Sequence, residues 1–150
     1  MKWVRVVGLL LALFGFGQAE IASAQIVGRT EERCGEASSQ AETFSCYFDL
    51  AVTSRAEVQR GFERNLQSAM AQDREFNAYS SAHGMLRASL AKRLRTSQAA
   101  WLQYSDAQCG FEGGSSSGGS GEDILDAACH YRMNSSRLKE LEAARELLER

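Results

Sequence analysis

The sequence predicts an all-α protein: an antiparallel bundle of about three long helices, disulfide-stabilised, with a Gly/Ser-rich loop between the last two. Three observations predict it. None of the 150 residues is proline, so the strongest helix breaker is absent. Apolar residues recur at helical spacing in three separate stretches. Glycine is concentrated at 110–121, between the second stretch and the third.

Residues 1–24 read as a secretion signal outside the fold. Lys2 and Arg5 form a basic leader, Val6 to Phe16 an apolar core, and Ala22-Ser23-Ala24 a small-x-small cleavage signal, with Ala19 as the alternative cut. The apolar run is too short for a membrane span of about 20 residues. Cys34 follows Glu31-Glu32-Arg33, where a lipid-attachment site needs small and apolar residues. Residues 25–38 read as an extended lead-in, and 39–150 as the helical domain.

Ser39 with Glu42 predicts a capping box that opens the first helix. Phe48, Val52, Val58, Phe62, Leu66 and Met70 form its apolar stripe, and Ser80, Ser81 and Gly84 predict a bend or break. Leu86, Leu90, Leu94, Trp101 and Tyr104 mark a second helix ending near Gln108, with the two aromatics as core. Asp106 lies about 140° round from Trp101, toward solvent. The segment 110–121 predicts a flexible loop with no regular structure. Ser120 is the expected cap of the third helix, with Glu122 and Asp123 suited to its positive end. Ile124, Ala128, Tyr131, Leu138, Leu141 and Leu148 form its apolar stripe.

Charge is unevenly distributed. The chain carries 17 basic and 19 acidic residues, which argues against a nucleic-acid binder with a basic stripe. Residues 55–95 hold 8 basic and 4 acidic side chains, whereas 96–131 hold no Lys or Arg and 5 acids: Asp106, Glu112, Glu122, Asp123 and Asp126. The segment between Cys109 and Cys129 therefore predicts an acidic tip suited to a cationic partner.

Cys34, Cys46, Cys109 and Cys129 all follow the signal, and an even count in an exported chain predicts disulfides. Three pairings are open; sequence neighbours, Cys34 with Cys46 and Cys109 with Cys129, close the shortest loops. No C-x-x-C occurs, and with His83 and His130 as the available histidines no zinc site is expected. No cofactor motif and no nucleophile–base pair is present, so no enzyme is expected.

The residues Cys34 and Cys46, Asp73 with Phe76 and Asn77, Gln98, Trp101, Tyr104, Asp106, Cys109, Gly113-Gly114-Ser115, Cys129, Arg137 and Leu141 resemble the pattern of the small exported family named after the lysozyme inhibitor LprI. That pattern is an N-terminal cysteine pair, D-x-x-L-N, Q-R-x-W-x-x-Y-R-D-x-x-C, a Gly-Gly-Ser loop, and C-x7-R-x3-L. Ala99 and Ser105 replace two arginines of the motif, and Phe76 replaces a leucine. The resemblance implies a helical, disulfide-stabilised envelope protein whose partner is lysozyme or another cationic envelope protein. Gln98, Trp101, Tyr104 and Arg137 are expected to be structural, with Asp106 paired to Arg137. Asp106, Phe111, Glu112, Glu122 and Asp123 are the expected partner-binding residues. The alternative is a non-inhibitory periplasmic interaction module that binds through the face carrying Phe62 and Leu66.

Overall fold

The computed structural model describes residues 32–84 and 89–149. The expected signal segment, the start of the expected lead-in, Leu86 and Arg87 lie outside the described residues. The chain divides into two units, up to Glu36 and from Ala37 onward. The described part of the first is one helical turn over 32–35, with Glu36 N–H donating to Glu32 O at 3.1 Å. The second contains α1 (Gln40–His83), α2 (Leu90–Gly114) and α3 (Ser120–Leu148), with no strand among the described residues.

Helix α1 begins where the capping signal placed it. Ser39 is extended, and its side chain accepts the Glu42 N–H at 3.3 Å. The return arm differs: Glu42 Oε2 accepts from the Ser38 N–H and hydroxyl, at 3.0 and 2.6 Å, rather than from the cap residue. The Ser38 hydroxyl, then its N–H, holds the Glu42 carboxyl below the ordinary range. Of the expected interruptions, Gly84 ends the helix, whereas Ser80 and Ser81 lie within it. The helix runs 44 residues without a break and stops at Gly84, whose φ of 67° is left-handed and whose N–H donates to Ser80 O. With no proline to remove an amide donor, two serines do not break the ladder.

The polar contacts set the topology. Along α1 and α3, Gln40 meets Ser120, Ser54 meets Asn134, Asn65 meets Leu141 and Gln72 meets Leu148. Both sequences ascend together, so α1 and α3 run parallel. Helix α2 runs against both: Asp73 meets Leu90 while Arg55 meets Asp106, and Gln98 meets Arg137 while Glu112 meets Arg132. Consecutive helices are therefore antiparallel.

Small and polar side chains form the helix seams. On α1 the buried positions are Ser54, Val58, Gly61, Asn65, Ala69 and Ser80; on α2 they are Ala91, Gln98, Ser105, Cys109 and Gly113. The expected stripe on α1 is inside only in part: Val58 is buried, Phe62 and Leu66 are half-buried, and Phe48, Val52 and Met70 are exposed. From helical phasing, the seam lies about 100° round α1 from the centre of that stripe. Small side chains let helix backbones approach, and Gly61 shows it: a Cβ there meets Leu141 Cδ1 at 3.4 Å. Close approach also brings side-chain amides within reach of main-chain carbonyls. Asn65 Nδ2 donates to Leu141 O at 2.7 Å, Asn134 Nδ2 to Ala51 O at 3.1 Å, and Gln72 Nε2 to Leu148 O. The last satisfies a carbonyl of the final turn of α3, where the helix supplies few partners of its own.

All four cysteines are disulfide-bonded, and Cys109 pairs with Cys129, joining α2 to α3 with Cα atoms 5.3 Å apart.

Candidate interaction surface

The connection between α2 and α3 is shorter and more ordered in geometry than a Gly/Ser run suggests. Helix α2 continues through Gly114 and α3 starts at Ser120, so part of the expected loop at 110–121 is helical and 115–119 remain as the turn. The Ser115 and Ser116 hydroxyls donate back to Glu112 O and Gly113 O at 2.6 and 3.0 Å, occupying carbonyls at the end of α2. Ser117, Gly118 and Gly119 then take φ values of 60°, 95° and 86°, a left-handed run that glycine tolerates best. Gly113 serves packing instead. A Cβ there stands 3.1 Å from Glu122 O and 3.2 Å from Asp126 Cβ. Ser120 is not the cap of α3: Gly119 occupies that position, and the Ser120 hydroxyl donates to Gln40 Oε1 at 2.6 Å.

The signature residues of α2 and α3 form an internal polar junction. Arg137 is 7% exposed, and its Nε and Nη2 each donate to Gln98 Oε1 at 3.1 Å. Its Nη1 donates to Glu140 at 2.7 Å. The guanidinium carbons of Arg55 and Arg137 lie 5.7 and 5.6 Å from the centre of the half-buried Trp101 ring, within cation–π range. The expected Asp106–Arg137 pair does not form; Asp106 faces Arg55 at 3.9 Å, at the surface. Tyr104, expected in the core, is 59% exposed. It lies about 120° from Gln98 on a helix whose buried face centres near Gln98 and Ser105.

The five expected partner-binding residues differ in what they touch. Glu112 is engaged internally: it accepts from Arg132 Nη2 at 2.6 Å and from Gln108 Nε2 at 2.9 Å. The Gln108 hydrogen bond, then Arg132, holds its carboxyl below the ordinary range. Phe111 projects into solvent, 74% exposed. Asp106 is on the α1-facing flank of α2, and Glu122 and Asp123 are exposed in the first turn of α3.

Asp123 instead belongs to a concavity that sequence reasoning did not assemble. A groove of about 330 Å³ between α1 and the beginning of α3 is lined by Phe44, Phe48, Ala51 and Val52 on one wall, and by Asp123, Asp126, Ala127, His130 and Asn134 on the other. Phe44 and Phe48 contact each other with ring centres 5.6 Å apart, and His130 Nε2 lies 3.7 Å from Asp126. The signal was legible: Phe44, Phe48 and Val52 recur every four residues in a segment, 40–54, that has Glu42 and Asp49 but no Lys or Arg. Assigning Phe48 and Val52 to the core hid it. Among the described residues, no group of three or more His, Cys, Asp or Glu side chains is placed to hold a metal ion. No helix among them is long and apolar enough to cross a membrane.

Comparison with known proteins agrees with the signature. The sequence model of the family described as lysozyme inhibitor LprI matches residues 30–141. An uncharacterized protein of Rhizobium meliloti (strain 1021) is 29% identical over 119 residues, spanning 79% of this chain and 81% of that protein. No solved structure matches the chain.

Proposed function

The chain belongs to the lysozyme inhibitor LprI family, and from that membership we propose that it is an exported, non-catalytic protein that binds and inhibits lysozyme-type muramidases. The family match over residues 30–141 is the observation that carries this reading. Disulfide-bonded cysteines fit an oxidising, extracytoplasmic compartment. Lysozymes of the host type are basic proteins with an open saccharide cleft. The acid-only segment 96–131, tied at Cys109 and Cys129, has the complementary charge to steer the encounter. On this reading Glu122, Asp123 and Asp106 supply charge and Phe111 an apolar contact. Glu112, bonded to Arg132, holds the end of α2 in place.

The test is a turbidity assay of cell-wall lysis with the purified mature protein. Slower clearing at near-stoichiometric protein is expected with at least one lysozyme type. Unchanged clearing at micromolar excess over several types removes the proposal.

A non-inhibitory envelope interaction module is the second reading, favoured by the large apolar side chains that α1 leaves exposed: Phe48, Val52, Met70, Phe76 and Tyr79. Phe62 and Leu66 are half-buried, so charge substitutions there perturb the bundle as well as the face. A pull-down from periplasmic extract tests this reading with exposed Met70→Lys in their place. Loss of a partner in the variant, without lysozyme inhibition by the wild type, selects it.

A further inference from the structure

We propose that the groove between α1 and the first turns of α3 is a docking site for a cationic protein segment, an apolar side chain flanked by lysine or arginine. Two independent features define that chemistry. The floor and one wall are apolar, and they stay open to solvent: Phe48 is 50% exposed and Val52 53%, with Phe44 against Phe48 and Ala127 opposite. An apolar concavity of this kind gains most from a side chain that fills it and displaces its water.

The carboxylates that line it are Asp123 and Asp126, and no Lys or Arg lines it. The α1 wall, residues 44–52, carries Asp49 and no Lys or Arg, and the α3 wall, 123–134, carries Asp123 and Asp126 with one Arg, Arg132, which is paired with Glu112. The neighbouring stretch of α1 and α2, residues 55–95, carries 8 basic against 4 acidic residues, so the negative field is local to this end. An acidic segment entering the groove meets the Asp123 and Asp126 carboxylates; a cationic one is attracted and held in register. Asn134, at the inner edge of the groove, is buried and gives Nδ2 to Ala51 O and Ser54 Oγ.

This inference rests on the proposed function only in taking the partner to be a cationic protein. It moves the contact from the Phe111 tip to the α1–α3 groove. The experiment keeps the two failures apart by using two probes. One is hen egg-white lysozyme. The other is a short peptide of alternating lysine and leucine, with a glutamate–leucine peptide as control.

Amide resonances of the mature protein are followed during titration. The lysine–leucine peptide is expected to shift Phe44, Phe48, Val52 and Ala127, and the glutamate–leucine peptide to shift none of them. Val52→Lys, an exposed position that tolerates the change, and the double variant Asp123→Lys with Asp126→Lys each weaken peptide binding by roughly tenfold or more. Phe111→Ala changes it less than about twofold. Circular dichroism checks that each variant stays helical.

If the lysine–leucine peptide binds while neither this lysozyme nor the several types of the lysis assay respond, the inhibitor reading fails and the groove proposal stands. If lysozyme binds and only Phe111→Ala weakens it, the groove proposal is overturned. Equal response to both peptides, or response to neither, also overturns it. So does a wild type that sediments as a dimer while Val52→Lys sediments as a monomer, since a second copy is then the occupant.

Discussion

Asp73 of α1 caps a different helix: its Oδ1 accepts the N–H of Leu90 at 2.8 Å, and its Oδ2 accepts that of the next residue, Ala91, at 2.9 Å. Ser89, the residue at the N-cap position of α2, makes no side-chain cap bond. The carboxylate thus satisfies two of the amides that every helix start leaves open, and sets negative charge at the positive end of the dipole. It also ties α1 to α2.

Asp73→Ala should therefore destabilise the protein by about 1 kcal/mol or somewhat more, the usual scale for losing an N-cap. Asp73→Asn keeps an oxygen acceptor and should cost less. Urea unfolding of both variants checks the order; equal stability of Asp73→Ala and wild type removes the cap's role.

Arg137 and Asp106 should separate cleanly. Arg137→Ala removes two bonds to a buried Gln98 whose Nε2 already lacks a partner, so a loss of about 2 kcal/mol is expected. Asp106→Asn touches a surface pair and should cost under about 0.5 kcal/mol. Comparable losses in denaturant melts would restore the Asp106–Arg137 pair that the structure lacks.

Two adjacent glycines should respond differently. Gly113→Ala forces a Cβ against Glu122 O and Asp126 Cβ and should destabilise, whereas Gly114→Ala meets nothing within 4 Å. In the last turn of α2 the second change should be neutral or stabilise by up to about 1 kcal/mol, by reducing unfolded-chain freedom. Thermal melts of the pair decide it.

Glu112 should give the protein an acid-sensitive joint. Its carboxyl is held below the ordinary value of about 4.3 by Gln108 and then Arg132. A lowered folded-state value means that the native state binds the proton less readily than the unfolded one. The stabilisation is therefore fully present above the unfolded-state value and is lost as pH falls through the lower native one. Carbon-detected titration should place the Glu112 midpoint below the ordinary range, and Glu112→Gln should flatten the stability–pH curve below about pH 4. An unshifted midpoint contradicts this.

Non-reducing peptide mapping should recover Cys34 linked to Cys46 alongside the Cys109–Cys129 peptide. A Cys34–Cys109 peptide overturns the neighbour pairing. Replacing both Cys109 and Cys129 by serine should cost about 3 kcal/mol in the chain-entropy picture for a loop of this length.

Helix content and order were readable because they depend on local chemistry. Ser39 and Glu42 mark the start of α1, Gly84 its end, and the absence of proline lets 44 residues run on. The groove was less readable, although Phe48, Val52, Asp123, Asp126 and His130 were each in view. Phe48 and Val52 share a face with Leu66 and Met70, and periodicity reports shared faces without reporting which is covered.

The amino-acid sequence by itself determined three helices, their caps in outline, the acid-only segment, and the signature that places the chain in its family. Tertiary structure decided which side of each helix is inside. On α1 and α2 the buried seam is built from Ser54, Gly61, Ala69, Ala91, Ser105 and Gly113, roughly a quarter-turn from the large apolar stripe. Small residues carry little hydrophobic signal along a sequence. In space they allow backbones to approach until Asn65 and Asn134 reach main-chain carbonyls on the neighbouring helix, and that approach leaves Phe48 and Val52 at the surface.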